Sequence, residues 1–450
     1  MDATSHKYLI LTGSHGENTG SIPVGVTIDC DNRTIDADIG GQFEFHRWRS
    51  IVAEPVSQSQ QTGPARLDKM DVSAAQSLRL ATPMPKQELR SRASPSWHPR
   101  LVKTHRLLGL AAALFWLVQA VTGTLIVFHW EFDDALLGGQ TVPANLHAMQ
   151  ARLDVLAPPG SGAKIISVWT TAGAANRYDV KIDDPQLGKQ VVRIAGDGSV
   201  LRARRASERS TIDQIVALHQ TLLLGDAGKW ITGISGMLLL SNLLLGLATG
   251  WPGKIGWRRA IVPTRSGGLT TRVYSWHRAL GLIGAVPALL LVGVGVSLAF
   301  EDGTARLVGA APIDLPSQPG VSSIGFAAAV EAAERAIPGS AFTAVAAMPS
   351  VEDASYRIRL LAPHEWRRAY GTSIVYVDAA TGRIRGAYPA DTLPVANRFM
   401  NGLYAVHTGE ISGLIGRLLV FATGLWLASM TILGVMLWAR KRRRSRKATI

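Results

Sequence analysis

Histidine is the residue whose placement in this chain indicates chemistry. Of eleven histidines, five stand beside or within reach of long apolar stretches, and four of these recur at matched positions: His105, His219, His277 and His407. Neutral imidazole is a common metal ligand and a usual axial ligand of haem iron, which takes two axial ligands. A histidine beside a membrane span is also an ordinary interfacial residue. The elements that position these four side chains therefore decide what they can do.

The four histidines form two matched pairs along the sequence. An offset of 172 places His105 on His277 and makes nine of 24 positions identical. The identical residues of the first half are His105, Arg106, Leu108, Gly109, Leu110, Ala113, Leu117, Gly123 and Phe128. An offset of 188 places His219 on His407, and it matches Gly225 with Gly413, Gly228 with Gly416, Lys229 with Arg417, Gly236 with Gly424 and Gly246 with Gly434. These joint matches predict a tandem duplication.

Four apolar stretches predict an α-helical membrane protein with four transmembrane helices. The stretches are Leu107–Phe128, Trp230–Trp251, Ala279–Phe300 and Leu418–Trp438, and none contains Asp, Glu, Lys, Arg or His. Each is 21 or 22 residues long, and about 20 helical residues cross the hydrocarbon core of a bilayer. The first and third spans run in the same direction, so the repeats are parallel and matched residues face each other across an axis along the membrane normal.

The net charge of +14 predicts orientation rather than nucleic-acid binding. Basic residues cluster before span 1, between spans 2 and 3, and after span 4, where Arg440 begins a run that ends at Lys447. Lys- and Arg-rich flanks stay in the cytoplasm, so both termini are expected inside and the long segments 129–229 and 301–417 outside. The basic tail is expected to meet anionic membrane lipid. The single cysteine, Cys30, excludes an intrachain disulfide.

His105 and His277 are predicted to ligate one haem iron across the local axis. Gly109 and Gly281, one turn further along, leave room for a flat macrocycle, and Arg106 and Arg278 are placed to pair with its propionates. The alternative is two interfacial His-Arg pairs that reach toward lipid phosphate.

His219 and His407 are the corresponding candidates for a second haem on the outer side, and an ordinary interfacial helix is the alternative there. A continuous helix from His219 to Trp251 would exceed the bilayer core unless Gly225 and Gly228 break it. His129 closes span 1 on the outer side. Its repeat equivalent is Glu301, so it has no matched histidine and is only a reserve ligand for the outer site.

The outer segments are predicted to be two small α+β domains. Helical periodicity covers Phe326–Ile337, and alternation predicts strands at Tyr178–Ile182, Gln190–Ile194, Ser199–Arg202, Tyr356–Leu360, Ser373–Val377 and Arg383–Ala387. The His-Arg-x-Leu-Gly-Leu opening, the Val-Asp-Ala-Ala-Thr-Gly turn at 377–382 and the His-x5-Gly-x2-Gly lead into spans 2 and 4 resemble the PepSY-associated transmembrane helix family over roughly residues 98–440.

This resemblance implies a bacterial inner-membrane protein with periplasmic PepSY-like domains. Some members of the family are haem-containing reductases that release iron from ferric siderophores. By that resemblance, one or two b haems would pass electrons to a periplasmic ferric chelate. No dinucleotide-binding domain is recognisable, so the electron donor would be quinol or a flavoprotein partner. The other class of function is a non-enzymatic binding module or an accessory component of a transporter; the spans lack the charged groups that ion-coupled transport usually needs.

The predicted segments follow from these boundaries. They are the extension 1–95, largely disordered apart from strands at Lys7–Ile10 and Ile22–Ile28; the first transmembrane helix with its basic flank, 96–129; the first PepSY-like domain, 130–228; the second helix, 229–252; a cytoplasmic loop, 253–276; the third helix, 277–300; the second PepSY-like domain, 301–411; and the fourth helix with its tail, 412–450. Because the extension carries no span and no matched histidine, a chain that starts at Met84 is expected to insert normally.

Overall fold

The computed structural model describes residues 27–28, 35–36, 97–138, 141–253, 256–320, 322–365 and 370–447. The chain divides into two units, Met1–Glu88 and Leu89–Ile450. In the first unit β1 (Thr27–Ile28) pairs antiparallel with β2 (Ile35–Asp36). The predicted strand Lys7–Ile10 lies outside the described residues, and β1 is the end of the predicted strand Ile22–Ile28.

The prediction of membrane-spanning helices is confirmed, with one change in the first span. Among the described residues, three helices are long and apolar enough to cross a membrane: α6 (Gly225–Gly250), α8 (Leu269–Ala299) and α12 (Gly413–Lys447). A fourth crossing is the pair α1 (Trp97–Ala111) and α2 (Ala113–Ile126), bent by 65° at Ala112, if the pair counts as one span. The run Leu110–Ala113 contains no proline or glycine, and this break was not predicted. α1 begins at Trp97, at the start of the segment 96–129 predicted as the first transmembrane helix with its basic flank.

The histidines ahead of spans 2 and 4 lie on short separate helices. α5 (Thr211–Thr221) is separated from α6 by Leu222 and Leu223, whose φ angles are 51° and 63°. α11 (Val395–Thr408) ends at Gly409 (φ 81°), and a 3-10 turn at Glu410–Ser412 leads into α12. The sequence allowed either a continuous helix from His219 to Trp251 or a break at Gly225 and Gly228. The break between α5 and α6 comes just before Gly225. Consequently α5 packs back against α2, and α11 packs against α8.

The spans form a ring of neighbours in which α6 contacts α8, α8 contacts α12, α12 contacts α2, and α1 contacts α6. One end of this bundle carries Lys103, Arg106, Lys441 and Arg442 and is called the basic end. The other end leads into the β-sheet and is called the sheet end.

The two extramembrane segments build one eight-stranded antiparallel sheet, with strand order β10-β9-β8-β7-β3-β4-β5-β6. The first half consists of β3 (Lys164–Thr170), β4 (Arg177–Asp184), β5 (Gly188–Ala195) and β6 (Val200–Arg205). The second half consists of β7 (Ala341–Ala347), β8 (Ser355–Leu361), β9 (Ser373–Asp378) and β10 (Ile384–Tyr388). β3 pairs with β7 through Val168–Val345 and Trp169–Ala344 and joins the halves.

One hydrophobic core lies under both halves of the sheet. It takes side chains from α4 (Leu146–Leu156), from α10 (Phe326–Ala336) and from strands of both halves. Met149, Val168, Val330 and Ile358 are fully buried in it. The segments predicted as two separate domains therefore share one sheet and one core.

The first span is tied to the sheet by buried ion pairs of α3 (His129–Leu137). Asp133 accepts hydrogen bonds from Arg202 at 3.0 and 3.1 Å and from Arg193. Asp134 accepts from Arg177 at 3.2 Å. Burial alone would raise the pKa of the Asp133 carboxyl, but hydrogen bonds from Arg202 and Arg193 and the charges of both arginines lower it. The remaining short helices are α7 (Trp257–Ile261) and α9 (Glu301–Val308).

Candidate functional site

The structure places His105 of α1 beside His277 of α8 at the basic end of the bundle. Their ring centres are 6.3 Å apart, and the ring planes differ by 55°. The two residues come from different halves of the chain, as the sequence matching predicted. We call them the basic-end pair.

At the sheet end, His219 of α5 lies beside His407 of α11. Their ring centres are 6.5 Å apart, with an interplanar angle of 30°. These residues also come from different halves and form the sheet-end pair. Along α8, His277 and Gly295, which contacts His407, are separated by 295 − 277 = 18 residues, or about 27 Å at 1.5 Å per residue. The two pairs therefore lie near opposite faces of the bundle.

A backbone carbonyl fixes Nδ1 of three of the four imidazoles. Nδ1 lies 3.1 Å from the Asn242 carbonyl in His105, 3.2 Å from the Gln119 carbonyl in His219, and 3.2 Å from the Leu291 carbonyl in His407. A carbonyl can only accept, so Nδ1 carries the hydrogen and Nε2 keeps a free lone pair. This is the tautomer that a metal-binding histidine uses when its other nitrogen is held by a carbonyl.

Thr122 supports the same tautomer in His219. Its Oγ1 donates to the Val118 carbonyl at 2.7 Å and lies 3.2 Å from His219 Nδ1. With its own hydrogen used on Val118, the hydroxyl accepts from Nδ1. His277 is the exception among the four histidines, because its Nδ1 is buried and has no hydrogen-bond partner.

Each imidazole ring packs against a glycine of a neighbouring helix. A Cβ atom on Gly123 would lie 2.7 Å from His219 Cε1, one on Gly295 2.9 Å from His407 Cε1, and one on Gly246 3.0 Å from His105 Cε1. On Gly434 it would lie 3.6 Å from His277 Cε1. Three of the four positions therefore admit only glycine without displacing the ring.

The separation of the rings fits a shared metal better than a direct contact. A first-row metal lies about 2.0–2.1 Å from an imidazole nitrogen, as in zinc sites, and the ring centre lies about 1.1 Å behind that nitrogen, so two trans imidazoles have centres about 6.2–6.4 Å apart. A direct hydrogen bond between ring nitrogens would bring the centres to about 5.1 Å. The observed 6.3 Å falls in the first range and the observed 6.5 Å just above it, and both also lie within the roughly 4.5–7 Å at which packed aromatic rings are found.

The donor set favours a metal that brings its own equatorial ligands. In the part of the chain that the structure describes, no group of three or more His, Cys, Asp or Glu side chains is placed to hold a metal ion. Two imidazoles alone are an incomplete protein site for zinc, which takes three or four protein ligands. They are the complete axial set for a six-coordinate haem iron.

Both sheet-end histidines lie outside the membrane-spanning helices and are neutral at physiological pH. Burial lowers the pKa of the His219 imidazole to about 4, and the neighbouring His407 contributes in the same direction. Burial also lowers the pKa of His407. Each residue as a whole is only partly buried, and neutral imidazole is the ligating form.

The other predicted site residues take separate positions. His129 Nδ1 bonds the Ile126 carbonyl at 2.5 Å, and its ring lies 4.8 Å from that of Trp130. Arg278 Nε donates to the Gly250 carbonyl at 3.3 Å, and Arg106 lines a surface groove. Gly109 and Gly281 face Asn242 and Met430 rather than a histidine. Their parts in holding a macrocycle or its propionates stay predictions.

The glycines that hold the rings had a signal in the sequence. Gly123 aligns with Gly295 at the first offset, and Gly246 aligns with Gly434 at the second. Sequence matching predicted a role for Gly109 and Gly281, which are close to the histidines in sequence. The glycines that contact the rings lie on other helices.

Fold and site together define a polytopic membrane protein with two partly buried histidine pairs and one extramembrane sheet. A family model described as the PepSY-associated TM region matches residues 102–441, and the chain belongs to that family. Among curated proteins, no match was found.

Proposed function

We propose that the chain is a haem-dependent electron-transfer protein of a bacterial inner membrane that reduces ferric chelates, including ferric siderophores. The observation that carries this proposal is the geometry of the two histidine pairs, with ring centres 6.3 and 6.5 Å apart. His105 and His277 would hold one b haem, and His219 and His407 a second. When bound, the haem iron supplies one-electron transfer.

The chain's own contribution is to hold and orient the ligands. Carbonyls of α6, α2 and α8 keep three Nδ1 atoms protonated, which leaves Nε2 available for iron. Glycines at the ring edges let each imidazole enter the bundle. The apolar side chains around the pairs would lower the local dielectric and so tune the potential of a bound haem.

An aromatic chain supports transfer from the sheet end toward the sheet. Trp130 follows span 1, and its ring centre lies 6.2 Å from that of Tyr370. Tyr370 in turn lies 6.0 Å from Trp169 of β3, the strand at the junction of the two halves. A ferric chelate docked on the sheet would receive electrons by this route.

The orientation that we propose has both termini in the cytoplasm and the sheet in the periplasm, as two fused PepSY-like halves of a tandem duplication. The basic flanks support it through the positive-inside rule. The electron donor would then act at the basic end, as quinol or as a flavoprotein.

The test is a reduced-minus-oxidised spectrum and a haem count on the purified full-length protein. The proposal expects b-type bands and two haems per chain, with reduction of a ferric chelate when a quinol analogue is supplied. The His105→Ala and His219→Ala variants should each retain one haem. A folded, colourless wild-type protein from haem-sufficient cells would refute the proposal.

A further inference from the structure

A groove of about 490 Å³ opens between α1 and α12 at the basic end. Its rim carries four cations: Lys103 and Arg106 from α1, and Lys441 and Arg442 from α12. Its floor is apolar and consists of Leu107, Leu110 and Trp438. On both helices the lining changes from charged to apolar in the direction of the membrane interior.

The corresponding crossing on the other side of the bundle is closed. There Arg278 donates to the Gly250 carbonyl at 3.3 Å, and a Cβ on Gly250 would lie 3.7 Å from Leu282. At the two sequence offsets, Gly250 aligns with Trp438 and Leu282 aligns with Leu110.

Two features open the groove between α1 and α12. The indole of Trp438 stands where the closed crossing has a glycine. In addition, the 65° bend at Ala112 directs α1 away from the line of α2, while α8 continues without a break from Leu269 to Ala299.

Among the described residues, no carboxylate neutralises the charge on the rim. No Asp or Glu lines the groove, and none of its four cations forms an ion pair with a carboxylate among the described residues. Arg442 lies over the Trp438 ring at 5.4 Å. Four cations above an apolar floor form a site for an amphiphile with an anionic head.

We propose that this groove binds one anionic diacyl phospholipid, with its phosphate among the four cations and an acyl chain along Leu107, Leu110 and Trp438. Basic pockets between transmembrane helices at the headgroup level are the usual setting for such lipids. The volume lies within the range of small-molecule sites. The lipid would seal the open crossing beside α1, the helix that carries His105. This inference is independent of haem binding.

Lipid retained by the purified full-length protein tests the proposal. The protein is washed in mild detergent, incubated with equal amounts of phosphatidylglycerol and phosphatidylethanolamine, and examined by native mass spectrometry. We expect one tightly held phosphatidylglycerol per chain and at least a tenfold preference over phosphatidylethanolamine. The double variant Lys441→Gln/Arg442→Gln should lower phosphatidylglycerol occupancy at least tenfold.

A matched control is the double variant Arg440→Gln/Arg443→Gln, which removes the same charge from the same helix at positions that do not line the groove. It should keep the lipid. Leu110→Trp fills the floor without a change of charge and should lower occupancy, which inorganic phosphate alone bound at the rim would not explain. Equal loss of phosphatidylglycerol in the two double variants would overturn the proposal, and so would the lack of a preference for the anionic lipid. An acidic protein bound to the purified chain in place of lipid would also overturn it.

Discussion

The contact between each imidazole and its glycine makes a graded prediction. Alanine at Gly123, Gly295, Gly246 or Gly434 adds one Cβ against a ring, and the four distances to Cε1 are 2.7, 2.9, 3.0 and 3.6 Å. Carbon atoms in contact are separated by about 3.5–4.0 Å. The ring must therefore retreat by about 0.8 Å at Gly123, about 0.6 Å at Gly295 and about 0.5 Å at Gly246, and not at all at Gly434.

The free-energy cost of moving the ring can be estimated as the sum of two contributions. Overpacking a tight interior costs about 1–3 kcal/mol. A retreat of the ring also lengthens the Nδ1 hydrogen bond, which contributes about 0.5–1.5 kcal/mol. A total of about 1.5–4.5 kcal/mol corresponds to roughly a tenfold to thousandfold weaker site. The helix propensity gained by replacing glycine with alanine is the same at all four helical positions, so it does not alter the ranking.

The assay is haem content of the purified variants, with thermal unfolding of each as a second readout. Gly123→Ala and Gly295→Ala should reduce the sheet-end haem most, and Gly246→Ala should reduce the basic-end haem less. Gly434→Ala is the internal control and should behave as wild type. If Gly434→Ala lost as much haem as Gly123→Ala, or if Gly123→Ala kept both haems, the reasoning from contact distances would be wrong.

Three further predictions concern the pairs, the orientation and the sheet. The His105→Ala and His277→Ala variants should lose the same haem, and the double variant should lose no more, because one six-coordinate iron needs both ligands; full haem content in either single variant would contradict the pairing. A reporter inserted within 256–268 should be cytoplasmic and one within 185–188 periplasmic, and the opposite pattern would reverse the proposed electron path. Asp133→Asn should lower the free energy of unfolding by about 1–3 kcal/mol by weakening its bonds to Arg193 and Arg202. Since the folded pKa of Asp133 is lowered, that stability is present above its unfolded pKa of about 3.9 and is lost as the pH falls through the folded value; urea melts at pH 7 and pH 3 should therefore differ less in the variant than in wild type.

Sequence matching placed His105 on His277 and His219 on His407, and in the structure the members of each pair are neighbours. It could not locate their hydrogen-bond acceptors, which are backbone carbonyls of other helices. Nor could it locate the bend at Ala112, since the run Leu110-Ala-Ala-Ala113 has no residue that breaks a helix.

The two strands that join the halves were also missed, and for a reason that composition explains. β7 contains four alanines in Ala341–Ala347, and alanine is depleted in strands. β3 is regular enough to read as a strand, but its partner is supplied by the distant β7. The sequence predicts three strands in each half, and only the tertiary structure reveals the two further strands and the shared sheet.

One feature of helix geometry accounts for both the position and the tautomer of the imidazoles. Nδ1 bonds the carbonyl four residues before the supporting glycine: Gln119 for Gly123, Asn242 for Gly246 and Leu291 for Gly295. In a helix that carbonyl accepts from the glycine's own N–H and has a second lone pair for the ring. Without a Cβ at the glycine, Cε1 reaches the helix surface and Nδ1 comes within hydrogen-bonding distance of the carbonyl.

His277 departs from this arrangement in a consistent way. Its glycine, Gly434, is the most distant of the four, and the corresponding carbonyl would belong to Met430, yet Nδ1 has no partner. At the matched position of the other half stands Asn242, whose carbonyl holds His105. Because a hydrogen bond at Nδ1 raises the basicity of a ligating imidazole, the two ligands of the basic-end pair would be unequal donors, whereas both ligands of the sheet-end pair have such a bond. The two sites would therefore differ in potential although their ring separations are nearly the same.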